Sequence, residues 1–93
     1  MNKDYLSKRV AKKLNVSPGL VSMILTTSIE EIIRQMEMGE KVSLVGFGTF
    51  EAHERAGFEG TNPLTGERMF VEPRKTPVFR ASKTLKKRIN NDE

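Results

Sequence analysis

The spacing of apolar residues changes at residue 41, from a helical period to alternation. Leu6, Val10 and Leu14 recur every fourth position behind Asn2, a residue suited to cap a helix, with lysines between them. This spacing predicts an amphipathic first helix. Asn15-Val16-Ser17-Pro18 ends it and begins another, because Ser17 can accept a bond from an unpaired amide and Pro18 suits the first helical position. Val21, Ile24, Leu25, Ile29, Ile32, Ile33 and Met36 then form a wide stripe about five turns long, closed by Gly39 in a left-handed conformation.

From Lys41 the pattern is that of strands. Lys41-Val42-Ser43-Leu44 and Thr49-Phe50-Glu51-Ala52-His53-Glu54 each alternate, and Gly46-Phe47-Gly48 joins them as a hairpin. A third strand is predicted at Pro77-Val78-Phe79-Arg80, where Phe79 can join Phe47 and Phe50 in a core beneath the helices. Pro77 lacks an amide, so it belongs at an edge or at the strand's first position. Ser82 is placed to cap a short last helix, with Leu85 and Ile89 inward and Lys83, Lys86, Lys87 and Arg88 toward water. Arg55 to Lys75 offers few core residues, and Asn62-Pro63-Leu64-Thr65-Gly66 is a turn sequence, so this segment reads as a protruding β-ribbon in which Phe58 faces Val71.

The fold class is therefore α+β: a two-helix N-terminal base, a three-stranded antiparallel sheet with a ribbon arm, and a short C-terminal helix. At 93 residues the chain fits one domain, 1–93. It divides into a helical dimerisation region (1–40), a sheet (41–81) with its arm (53–76), and a C-terminal helix and tail (82–93). The stripe on the second helix exceeds the needs of one small domain, and no cysteine supplies a staple, so a dimer is expected, with packing of the whole stripe on the chain's own sheet as the plainer alternative. Absence of cysteine fits a reducing compartment, and no apolar run reaches the length of a membrane span. Cytoplasmic residence without a membrane partner is the expectation.

Charge is distributed unevenly. Residues 1–14 carry five basic side chains against Asp4, and residues 74–93 carry seven against Asp92 and Glu93, whereas residues 15–73 hold four against nine glutamates. Two basic ends around an acidic middle point to a polyanion partner, with a solvated surface as the plainer alternative. Catalysis has no visible constellation: there is no cysteine, one histidine and no metal-ligand spacing, and adjacent Glu30 and Glu31 point in different directions on a helix. No enzyme activity, cofactor, metal or small-molecule substrate is implied.

Leu44-Val45-Gly46-Phe47-Gly48-Thr49-Phe50, Asn62-Pro63-Leu64-Thr65-Gly66, Phe79-Arg80 and Ser82-Lys83-Thr84-Leu85-Lys86 together resemble the bacterial HU and integration host factor family. The resemblance spans nearly the whole chain. It implies an intertwined dimer whose two arms embrace double-stranded DNA, and the family's members are themselves among the known minor-groove architectural proteins. It also implies nucleoid association and binding largely independent of sequence. Pro63 matches the wedge at the arm tip, where turn chemistry alone makes it only a turn former. The DNA-contacting set so implied is Lys3, Gly46, Gly48, His53, Arg55, Asn62, Pro63, Arg68, Arg74, Lys75, Arg80, Ser82, Lys83 and Lys86. The dimer interface would use Ile29, Ile32, Ile33, Met36, Phe47, Phe50 and Phe79. A homodimer is expected, although integration host factor pairs two different subunits.

The arm departs from the family pattern, with Phe58 and Thr61 where arginine is usual. Residues 51–73 hold Arg55 and Arg68 against Glu51, Glu54, Glu59, Glu67 and Glu72, a net of −3 that repels phosphate. A module whose non-basic arm contacts protein, through Phe58, Met69, Phe70 and Val71, is the alternative function.

Overall fold

The computed structural model describes residues 1–91, so Asp92 and Glu93, the end of the expected tail, lie outside the described residues. The chain forms two compact units, Met1–Gln35 and Met36–Glu93. The elements in order are α1 (Lys3–Leu14), α2 (Pro18–Glu37), β1 (Val42–Leu44), β2 (Gly48–Arg55), β3 (Phe58–Thr61), β4 (Arg68–Val71), β5 (Arg74–Ala81) and α3 (Lys83–Asn90).

Local chemistry sets the helix limits in the first unit. The Tyr5 amide donates to Asn2 Oδ1 at 2.9 Å, which satisfies one of the amides left over at the start of α1. Asn15 ends α1 in the left-handed region with φ 57°. Ser17 Oγ accepts from the Leu20 amide at 3.1 Å, and α2 begins at Pro18 as its fixed φ favours. The inward face of α1 differs from the expected one. Ser7 and Ala11 are its buried residues, while Leu6 is partly exposed and Leu14 is 65% exposed. Ser7 tolerates burial because its hydroxyl donates to the Lys3 carbonyl at 2.8 Å.

In the second unit, Gly39 takes φ 82° just past α2, as its position predicts. The three-stranded antiparallel sheet has the order β1-β2-β5. Its first pair aligns Val42 with Phe50, and its second runs from Gly48 opposite Ala81 to Arg55 opposite Arg74. The third strand is twice the expected length, because pairing with β2 carries it back to Arg74. Pro77 sits within it, and β5 is an edge strand, where a missing amide is tolerated. Phe47, Phe50 and Phe79 cluster with ring centroids 4.9 to 6.3 Å apart.

β3 and β4 form a separate two-stranded ribbon, from Phe58 opposite Val71 to Thr61 opposite Arg68, and the predicted Phe58–Val71 pair is present. Its register is the one β2 and β5 would reach if continued through Ala56, Gly57, Glu72 and Pro73, so no residue is inserted at the break. Pro73 cannot donate to a ladder, which interrupts the hydrogen bonding while leaving the alternation of faces intact. Ser82 accepts from the Leu85 amide at 3.1 Å and starts α3. Leu85 is half-buried, but Ile89, expected inward, is 71% exposed in the second and last turn of a two-turn helix.

Candidate nucleic-acid interface

Alternation along β2 and β5 sorts their side chains between two faces. Phe50 and Phe79 share one face, followed by Ala52 with Pro77 and Glu54 with Lys75. The other face carries Thr49 with Arg80, Glu51 with Val78, His53 with Thr76, and Arg55 with Arg74. Four of the expected DNA contacts, His53, Arg55, Arg74 and Arg80, therefore stand together. Lys75 does not join them: it lies 3.8 Å from Glu54 on the aromatic face and also donates to the Glu37 carbonyl at 3.4 Å.

Glu51 organises the basic face from within. It is only 4% exposed, with His53 Nε2 at 3.1 Å, Lys41 Nζ at 3.2 Å and Arg80 Nε in contact with its carboxylate. The carboxyl is held below the usual carboxylate range, first by His53 and next by Lys41, against burial, which pushes it up, with the charge of Arg80 adding to the lowering. A carboxylate so enclosed does not present charge to solvent. Lys41, absent from the expected set, joins this face, and continuing the hairpin register one residue past Val42 opposite Phe50 brings it to Glu51.

The same alternation, continued into the ribbon, sorts its charges. Arg68, Glu59 and Glu72 fall on the face of Arg55 and Arg74, whereas Glu54 and Glu67 fall on the other, with Phe58, Met69 and Val71. Phe70 is on the basic face, where its ring lies over Gly57; a Cβ there would come within 2.7 Å of it. The tip is wider than the two-residue turn around Leu64-Thr65 that the sequence suggests. The Asn62 amide donates to the Glu67 carbonyl at 2.8 Å, and the Gly66 amide to the Asn62 carbonyl at 2.7 Å, so four residues, Pro63 to Gly66, make the loop. Gly66 has φ 73°. Asn62 Oδ1 accepts from the Leu64 amide at 2.9 Å, which fixes the turn while Pro63 stays exposed and Leu64 is 93% exposed.

The remaining basic candidates occupy helices. Lys83 and Lys86 are exposed one turn apart on α3 behind Ser82, whose amide donates to the Phe47 carbonyl at 2.9 Å. Lys3 begins α1 in the other unit and donates to Thr26 Oγ1 at 2.8 Å. Gly46 and Gly48 shape the backbone. Gly46 has φ 80°, and a Cβ on Gly48 would collide with the Arg80 carbonyl and the Phe79 ring.

A family model described as "Bacterial DNA-binding protein" matches residues 1–90. The chain belongs to this family. DNA-binding protein HU of Nostoc is 40% identical to it over 89 residues, covering 96% of this chain and 95% of the relative. DNA-binding protein HU of Clostridium pasteurianum is 42% identical, covering 97% and 99%. Among solved structures, the Anabaena HU–DNA cocrystal structure superposes with a TM-score of 0.83 at 40% identity, over 96% of this chain and 97% of that one. The HU resemblance read from the motifs is thus met by sequence and fold together.

For this HU-family chain the expected interface residues divide by exposure. Ile29 and Ile33 are 43% and 49% exposed, Ile32 and Met36 are half-buried, Phe47 and Phe79 are exposed, and Phe50 is half-buried. Ala11 and Val21 are the buried hydrophobic side chains among the described residues. So little buried apolar surface is far below what a stable chain of this size needs, and the open α2 stripe and aromatic cluster offer what is missing.

Proposed function

We propose that this protein is an architectural, largely sequence-independent binder and bender of double-stranded DNA, acting as an intertwined homodimer at the nucleoid in the cytoplasm and not as an enzyme. The observation that carries this reading is one sheet face on which Arg55, Arg74, Arg80, His53 and Lys41 surround a buried, ion-paired Glu51 and lead in unbroken register to a ribbon tipped by exposed Pro63. In the proposed complex Arg55, Arg68, Arg74 and Arg80, with Lys3, Lys83 and Lys86, grip phosphates, and His53 adds a contact from the same sheet face. Lys75 contributes from the arm base, and Asn62 holds the tip turn. Gly46 and Gly48 bring backbone close to the duplex, and the amides behind Ser82 face phosphate.

Pro63 enters a base step in the minor groove. The lost stacking, about a few kcal/mol, is offset as bent DNA reaches the basic body. Phosphate contacts carry no sequence information directly, which accounts for the expected indifference to sequence. Ile29, Ile32, Ile33, Met36, Phe47, Phe50 and Phe79 close the dimer core, residues 1–93 acting as one HU-like domain whose helical region, 1–40, pairs with its copy.

The test is a gel-shift titration with an intact duplex, a nicked duplex and RNA at several salt concentrations, beside energy transfer across an end-labelled duplex. Salt-sensitive binding of both duplexes with a rise in transfer is expected. Equal affinity for unstructured RNA, or binding without any change in end-to-end distance, would overturn the architectural reading.

A further inference from the structure

We propose that Arg9, Lys12 and Lys13 on α1 form a second phosphodiester-binding surface, which takes another segment of double-stranded DNA and lets the protein bridge duplexes. The proposal rests on the DNA-binding reading above. Ser7 and Ala11 are the buried residues of α1, and at 3.6 residues per turn Arg9 stands about 200° from each, on the solvent side. Arg9, Lys12 and Lys13 together frame one shallow recess lined by no other residue.

The other two cations of α1 stand apart from this cluster, Lys3 being assigned above to the first duplex. Lys8 pairs with Asp4 at 3.4 Å, and Lys3 donates to Thr26. Arg9, Lys12 and Lys13 make no ion pair or side-chain hydrogen bond among the described residues. Stability does not explain the cluster, since like charges three and four residues apart weaken a helix. The helix dipole relieves Lys12 and Lys13 in the last turn but does little for Arg9 before it. An anionic ligand removes the repulsion.

Charge density favours a duplex as that ligand: each strand carries one phosphate per about 3.4 Å of duplex axis, so the roughly 6 Å of α1 axis between Arg9 and Lys13 can face more than one of them. Lys13 lies about 15 Å along α1 from Lys3, beyond a Debye length of about 8 Å at physiological salt. The two ends of the helix therefore engage phosphates independently.

The experiment compares the full-length protein with the variant Arg9→Gln/Lys12→Gln/Lys13→Gln, glutamine being a good helix former, with helix content checked by circular dichroism. Bridging is read as capture of a fluorescent long duplex by a bead-bound one. Bending is read by energy transfer on a short duplex. We expect the variant to lose roughly tenfold or more in co-capture, the scale of several lost phosphate contacts, while short-duplex bending stays as in wild type. Unchanged co-capture in the variant, no co-capture by wild type, or an equal loss of bending and co-capture overturns the proposal. So does wild-type binding to phosphatidylglycerol vesicles, lost in the variant, without duplex bridging. A wild type that neither binds nor bends the short duplex defeats the DNA reading itself, and this proposal with it.

Discussion

Replacing Lys83 and Lys86 with glutamine tests whether the last helix grips DNA. Both side chains are exposed on α3 and hold no ion pair among the described residues, so each is available to a phosphate. The Ser82 cap is untouched, and glutamine matches lysine in helix propensity, so the fold should persist. Each phosphate contact contributes about 0.9 to the slope of log affinity against log salt, so two lost contacts lower it by about 1.8 per protomer and about 3.6 for a symmetric dimer. Between about 50 and 200 mM salt, an interval of about 0.6 log units, the variant dimer should then lose about a hundredfold less affinity than the wild type. Fluorescence anisotropy of a labelled duplex at four or more salt concentrations measures both slopes. If the slopes coincide while circular dichroism confirms the fold, α3 does not contact phosphate and the body grip assigned to it is wrong.

Three further outcomes are expected. Ile29→Asp or Ile32→Asp should dissociate or unfold the protein by burying an unpaired charge in the dimer, and a wild-type sedimentation experiment showing a stable monomer at micromolar concentration would refute the underlying premise. Glu51→Gln should flatten the acid limb of a stability–pH curve: a carboxyl lowered in the folded state stabilises above its unfolded value and loses that contribution as pH falls through the folded one, below the usual carboxylate range. Pro63→Ala should reduce bending, measured by energy transfer, more than affinity, whereas Phe58→Arg with Thr61→Arg should raise affinity and steepen its salt dependence; an unchanged bend together with unchanged affinity would remove the arm from the interface.

Most of the element order was legible because the signals are local. Asn2, Ser17 and Ser82 each accept from the amide three residues on, Pro18 opens α2, and Gly39 lies just past its end. What escaped depends on pairing and burial. The extension of β5 back to Arg74 needs β2 as a template, since Arg74-Lys75-Thr76 has no strand pattern of its own. The buried positions of α1 are Ser7 and Ala11, which a search for large apolar residues passes over. The tip loop is wider than expected because both the Asn62 carbonyl and its side chain serve as acceptors for loop amides, an arrangement that a turn signature alone does not specify.

The acidic arm shows most clearly how a linear count misleads. Residues 51–73 sum to −3, yet three of their five glutamates do not bear on the face that carries the arginines. Glu51 is buried among Lys41, His53 and Arg80, Glu54 stands beside Lys75 on the aromatic face, and Glu67 shares that face near the tip. Only Glu59 and Glu72 remain beside Arg55, Arg68 and Arg74, so the ribbon face that continues the basic sheet is net positive. Screening within about 8 Å at physiological salt makes the side that faces a phosphate matter more than the segment's total charge. The absence of arginine at Phe58 is likewise a change to the opposite face, where the aromatic ring and Val71 form a directly opposed pair worth roughly 0.2 to 1 kcal/mol to the ribbon. Thr61, in contrast, lies on the basic face opposite Arg68, so a single Thr61→Arg change should account for most of the affinity gained by the double arginine variant. A larger gain from Phe58→Arg alone would mean that DNA meets the ribbon on its apolar side.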